Sequence, residues 1–137
     1  MRLSKTAIMI SVVVGAAVAL PALALQDTPT PINGIDTVCT GVGSGKDDPR
    51  WGNYPVKLVL ATPGGADLAG AHVTLRKGGK TLVETDCDAP WILFNPEPGD
   101  YTVTATIDGR GTRTANVSVG KAQKTVTLTF PRQTAEQ

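Results

Sequence analysis

Glu97-Pro98-Gly99-Asp100-Tyr101-Thr102-Val103-Thr104-Ala105-Thr106-Ile107-Asp108-Gly109 reads as a turn, a strand and a second turn. Pro98-Gly99 interrupts the chain. Tyr101, Val103, Ala105 and Ile107 then fall on one side and Thr102, Thr104 and Thr106 on the other. A period of two predicts a strand with one buried face and one wet face.

The pattern repeats on both sides of this stretch. Val56, Leu58 and Leu60 alternate within Tyr54–Ala61, and Val59 predicts partial cover on the opposite face. Ala71, Val73 and Leu75 point inward from Ala71–Lys77, with His72, Thr74 and Arg76 outward. Gly78-Gly79 is a hairpin signal, because both positions accept positive φ, and Thr81–Cys87 returns. Trp91–Phe94 is a short apolar strand between Pro90 and Pro96. After Asp108–Gly111, Ala115, Val117 and Val119 alternate in Thr112–Val119. Val126, Leu128 and Phe130 do so in Lys124–Phe130. Asp36–Val42 reads as a first short strand carrying Cys39. The series predicts an all-β domain of seven or eight short, mostly antiparallel strands, closed as a sandwich or a barrel.

With 137 residues the chain suffices for one such domain. Aromatic residues are 4% of the sequence, so the core must be built from Val, Leu, Ile and Ala. Residues 1–24 have the form of an export signal. Arg2 and Lys5 are followed by the apolar run Ala7–Leu20, then by Pro21 and the small-x-small site Ala22-Leu23-Ala24. The competing reading is a retained anchor. The run is short for a span and stops at Pro21, which favours cleavage after Ala24. No Cys adjoins that site, so a lipid anchor is not expected, and no Arg-Arg pair calls for a specialised export route. Cleavage leaves no stable membrane insertion and a periplasmic or secreted protein.

Without Arg2 and Lys5 the net charge passes from +1 to −1. No basic block remains to attract nucleic acid or an anionic membrane. Two cysteines, Cys39 and Cys87, lie in the exported part, and an oxidising compartment favours their pairing. Residues 25–35 form a Pro- and Thr-containing lead-in, expected to be extended and partly mobile. The domain spans 36–130, and 131–137 is a polar tail.

Leu68-Ala69-Gly70-Ala71-His72-Val73-Thr74-Leu75 resembles the L-x-G-A-x-V-x-L strand of carboxypeptidase regulatory-like domains, which are transthyretin-like (prealbumin-type) β-sandwiches. Thr85-Asp86, Trp91-Ile92-Leu93 and Pro98-Gly99-Asp100-Tyr101-Thr102-Val103 are similar to that family's acidic turn, aromatic strand and Gly-x-Tyr strand start, in the same order. Val117-Ser118-Val119 and Val126-Thr127-Leu128 resemble its closing hairpin. The likeness covers residues 56–130. It departs at Ala89-Pro90, where the family usually has Gly. The 41–53 loop and the cysteine pair lie outside the common pattern. The resemblance implies a transthyretin-like sandwich with an accessory, binding or structural role, no peptidase activity, and Trp91 in the core. The related hydrolases of purine breakdown use several His residues and a Tyr-Arg-Gly-Ser-type tail, which are not found here.

Gly45-Lys46 is followed by Asp47 rather than Ser or Thr, and Thr40 stands where a phosphate-binding loop needs its first Gly. The one histidine, His72, falls mid-strand on a wet face, without a partner nucleophile in sight. One histidine and a paired set of cysteines are too few for zinc. Nothing signals a cleft holding paired carboxylates for glycoside hydrolysis. The chain therefore reads as a non-enzyme with no cofactor. Asp86 and Asp88, with Glu97 and Asp100, could hold calcium if their turns meet. Carboxylates are equally ordinary turn residues.

The 41–53 loop, Gly-rich and polar, is the expected contact region through Lys46, Arg50, Trp51 and Tyr54. Trp51 and Tyr54 either stack on a ligand or cap the end of the core. The expected function is structural or protein-binding, with another envelope protein as partner. The alternative is a carbohydrate-binding module in which Trp51 and Tyr54 stack on sugar rings.

Overall fold

The computed structural model describes residues 26–131. The export signal expected over 1–24 and residues 132–137 of the tail lie outside the described residues. The chain is all-β. Its strands are β1 (Thr30–Ile32), β2 (Ile35–Thr40), β3 (Val56–Ala61), β4 (Ala71–Lys77), β5 (Lys80–Cys87), β6 (Trp91–Asn95), β7 (Gly99–Ile107), β8 (Gly111–Val119) and β9 (Lys124–Thr129). They form a five-stranded sheet in the order β1-β2-β6-β3-β9 and a four-stranded sheet in the order β5-β4-β7-β8. Pairing between strands is antiparallel except for β3 with β9.

One apolar cluster joins the sheets. Val56, Leu58, Leu60, Ile92 and Phe94 come from the five-stranded sheet, and Val73, Leu75, Tyr101, Val103 and Ala105 from the four-stranded one. This arrangement fits a β-sandwich. The alternation expected for β3, β4 and β7 is the observed one: Val56, Leu58, Leu60, Ala71, Val73, Leu75, Tyr101, Val103, Ala105 and Ile107 are all buried. The Tyr101 hydroxyl reaches back and donates to the Glu97 carbonyl at 2.6 Å, fixing the turn that starts β7.

Two differences from the sequence reading have clear causes. The lead-in contains a ninth strand, because Ile32-Asn33-Gly34-Ile35 closes a two-residue hairpin. Asn33 (φ 52°) and Gly34 (φ 78°) take the left-handed backbone that such a turn demands, and Ile32 pairs with Ile35. Trp91 does not join the inter-sheet core. Ile92 and Phe94 point there, so period two turns Trp91 and Leu93 to the outer face of the five-stranded sheet. Trp91 is half-buried there. Lys57 Nζ lies 3.6 Å from its ring centroid. The Gly41 backbone presses on the ring so closely that an added Cβ would come within 2.7 Å of Trp91 Cγ.

Cys39 of β2 and Cys87 of β5 form a disulfide with Cα atoms 5.8 Å apart, linking the two sheets through the core. Their sequence separation is 48 residues. In the chain-entropy model a loop of that size corresponds to about 4 kcal/mol of stabilisation. The C39A/C87A variant is expected to lose about that much unfolding free energy, read from its urea midpoint. An unshifted midpoint would show that the cross-link contributes little.

Candidate functional site

The 41–53 loop leaves β2 and folds back over the outer face of the five-stranded sheet. It contains two short 3-10 turns, Gly43–Asp47 and Pro49–Asn53. Asp48 caps the second turn. Its Oδ1 accepts from the Arg50 backbone N–H at 2.9 Å, and Pro49 takes the first position, where no N–H is needed. Trp51 Nε1 donates to the Gly45 carbonyl at 2.7 Å, tying the second turn to the first. Gln123 Nε2 donates to the carbonyls of Trp51 and Tyr54 at 2.7 and 2.9 Å.

These bonds place Trp51 and Tyr54 inside, not outside. Trp51 is 4% exposed and Tyr54 7%, and both pack with Val38 and Leu93 in a second small core. Their rings meet edge to face with centroids 5.9 Å apart. Burial, then the charge of Asp36, raises the Tyr54 pKa above its ordinary value. A sugar stacks on an open aromatic face, and neither ring offers one in this conformation. Of the two roles considered for these residues, capping a core is the one the geometry matches.

Lys46 and Arg50 lie on the other side of the loop. Arg50 grips Asp48 through Nε and Nη2 (3.0 and 2.6 Å to Oδ2), and its guanidinium carbon sits 4.7 Å from the Trp51 ring centroid. This contact lowers the Asp48 pKa and raises that of Arg50. Lys46 Nζ is 3.5 Å from Asp67 Oδ2, with both side chains 44% exposed. An ion pair so wet contributes little to stability.

Beside them is a residue that the polar reading of this loop passed over. Val42 is 50% exposed, the exposed large hydrophobic among the described residues. With Lys46, Asp67, Leu68 and Pro90 it lines a shallow groove of about 330 Å³. The available signal was a single branched apolar residue between Gly41 and Gly43.

The histidine lies on the other sheet and is not solitary. His72 Nδ1 is 2.7 Å from Asp86 Oδ1, and Nε2 is 2.8 Å from Glu84 Oε2. Strand register explains the trio, since His72 faces Asp86 directly and Glu84 pairs with the next outward residue, Thr74. Carboxylates only accept, so the doubly protonated imidazolium satisfies both contacts. Its pKa is raised by the Asp86 bond first and the Glu84 bond second. Asp86 is thereby engaged with His72 and exposed, and Asp88 stands exposed nearby. Among the described residues no three His, Cys, Asp or Glu side chains converge as a metal-holding group. Asp86 and Asp88 border one small pocket, but neither Glu97 nor Asp100 joins them as a metal-holding group.

No protein-family model matches the chain, and no curated protein is similar to it.

Two outcomes follow from the geometry. Trp51→Ala should cost about 3–5 kcal/mol, as expected for truncating a buried aromatic, measured by urea denaturation, whereas Lys46→Ala should leave the midpoint nearly unchanged. His72 should titrate above the ordinary histidine value of about 6.5 in an NMR pH series, and the D86N/E84Q variant should move it back down. A raised folded-state pKa favours the native state below the unfolded value, and that contribution is lost as pH rises through the folded one. The side chain is 46% exposed, so solvent screens the effect.

Proposed function

We propose that this chain is a non-catalytic β-sandwich of the transthyretin-like, carboxypeptidase regulatory-like kind, exported to the bacterial cell envelope. There it binds another protein through the outer surface of the 41–53 loop. The observation that carries this reading is the exposed Val42 side chain on a loop held from beneath by Trp51 and Tyr54. An apolar residue beside a groove, flanked by the charged Lys46–Asp67 pair, has the composition of a small protein contact. The loop's hydrogen bonds pre-organise it, so little ordering entropy is spent on binding.

Export is supported by the signal-like residues 1–24 and by the buried disulfide, which suits an oxidising compartment. Among the described residues no helix is long and apolar enough to cross a membrane. The non-enzymatic reading is supported by His72, whose two ring nitrogens are both occupied by carboxylates. Sugar stacking on Trp51 and Tyr54 would require both rings to leave the second core.

Deleting the loop is a poor test, because it would remove Trp51 from that core. Point variants keep it intact. Protein captured from the envelope fraction by the wild type should be lost with Val42→Asp and reduced with Lys46→Glu. Arg50→Ala tests the far end of the same surface. Identical captured proteins with V42D and the wild type would sink the assignment of this surface.

A further inference from the structure

The end of the sandwich opposite the Val42 groove is built from three turns. Asn33-Gly34 joins β1 to β2, Gly78-Gly79 joins β4 to β5, and residues 96–98 join β6 to β7. Antiparallel pairing of β2 with β6 sets Thr40 against Trp91 at the groove end and Asp36 against Asn95 at this one. Between the turns lies a hollow of about 420 Å³, bordered by Asn33, Ile35, Lys77, Leu82, Glu97 and Tyr101. Its size suits a small molecule.

The floor is apolar. Ile35 and Leu82 pack against the inter-sheet core but are only partly buried. Leu82 is there because of an irregularity in β5. Lys77 faces Lys80 and Arg76 faces Thr81, yet Leu75 faces Val83, so Leu82 is an extra residue with none opposite it. A bulge of this kind re-aims a side chain. Asn33 Nδ2 holds the bulge by donating to the Leu82 carbonyl at 2.7 Å.

Opposite charges stand on the rim. Lys77 shares the parity of Val73 and Leu75, so it leaves β4 on the core side, where the core ends. Its Nζ lies 5.2 Å from the Tyr101 ring centroid. Gly99, at φ 151°, makes room for it, since an added Cβ would come within 2.9 Å of Lys77 Nζ. The Glu97 carbonyl accepts from the Tyr101 hydroxyl, and burial, followed by the Glu97 charge, raises the Tyr101 pKa. Lys77 and Glu97 border one cavity, yet neither forms an ion pair among the described residues. The ring and Gly99 give the Lys77 ammonium a seat away from Glu97, which leaves both charges available.

We propose that this hollow binds a small zwitterion with an apolar side chain, the chemistry shared by a free amino acid such as leucine and by a short apolar peptide. The ligand's carboxylate meets Lys77, its ammonium meets Glu97, and its side chain covers Ile35 and Leu82. The site does not rest on the protein contact proposed for the Val42 groove, which lies at the far ends of the same strands.

The test is an NMR chemical-shift titration of the purified chain with L-leucine and with L-leucyl-L-leucine, the tighter binder identifying the source. Lys77 and Glu97 are both exposed, so each ion pair contributes modestly. Acetylating the ligand's amine, or converting its carboxylate to the amide, removes one charge and should weaken binding roughly fivefold. Lys77→Gln should erase the penalty of amidation, and Glu97→Gln that of acetylation, with far-UV circular dichroism verifying that both variants fold. Val42→Asp should bind as the wild type does. Wild-type spectra unmoved by either ligand would overturn the proposal, and so would penalties that survive both substitutions. Binding lost with V42D would place the ligand at the groove and overturn it equally.

Discussion

The five-stranded sheet has to bury both of its faces, and much of the molecule follows from that requirement. β2 carries Val38 and Cys39 in succession, and β6 carries Ile92, Leu93 and Phe94. Neighbouring strand residues point to opposite sides, so such runs cannot be satisfied by one core. Cys39, Ile92 and Phe94 enter the space between the sheets, which leaves Val38 and Leu93 on the far side. The 41–53 loop is their roof. Its polar composition describes only its outer surface. Its underside is Trp51 and Tyr54, held by Gly45 and Gln123.

The two outward-facing surfaces of the sandwich differ accordingly. On the four-stranded sheet the outer face is hydrophilic and largely satisfies itself. Thr104 and Thr114 hydroxyls lie 3.1 Å apart and those of Thr106 and Thr112 2.8 Å, while Thr102 donates to Asn116 at 3.0 Å. These are cross-strand pairs of the kind that stabilise sheets. The His72 cluster sits at the margin of the same face. On the five-stranded sheet the outer face is roofed, and the roof presents Val42 and Lys46 to the surroundings.

The strands were legible because their alternation is strong. β4 begins and ends where its pattern does, and the inward residues of β7 could be named one by one. β1 was harder to see because three residues with a central proline have no alternation to read. The Asn33-Gly34 pair was nevertheless a hairpin signal. The placement of Trp51 and Trp91 was not legible in the same way. A tryptophan in a polar loop looks like an exposed anchor unless the neighbouring strand is seen to need cover on both faces. Leu93 between Ile92 and Phe94 held that information. Trp91 was expected inside on family likeness, while the parity of its position with Leu93 pointed outward. The partnership of His72 depends on the register between β4 and β5, which starts at the Gly78-Gly79 hairpin and is then moved by one residue at Leu75–Arg76, a shift that alternation does not reveal.

The disulfide has a consequence beyond stability. Cys39 and Cys87 close a covalent ring around the intervening residues, and the whole 41–53 loop lies within it. A protease that cuts the loop breaks the backbone without dividing the molecule. The segment before the cut stays joined, through Cys39, to the strand that carries Cys87. A chain built this way survives a nick in that loop as a single covalent body.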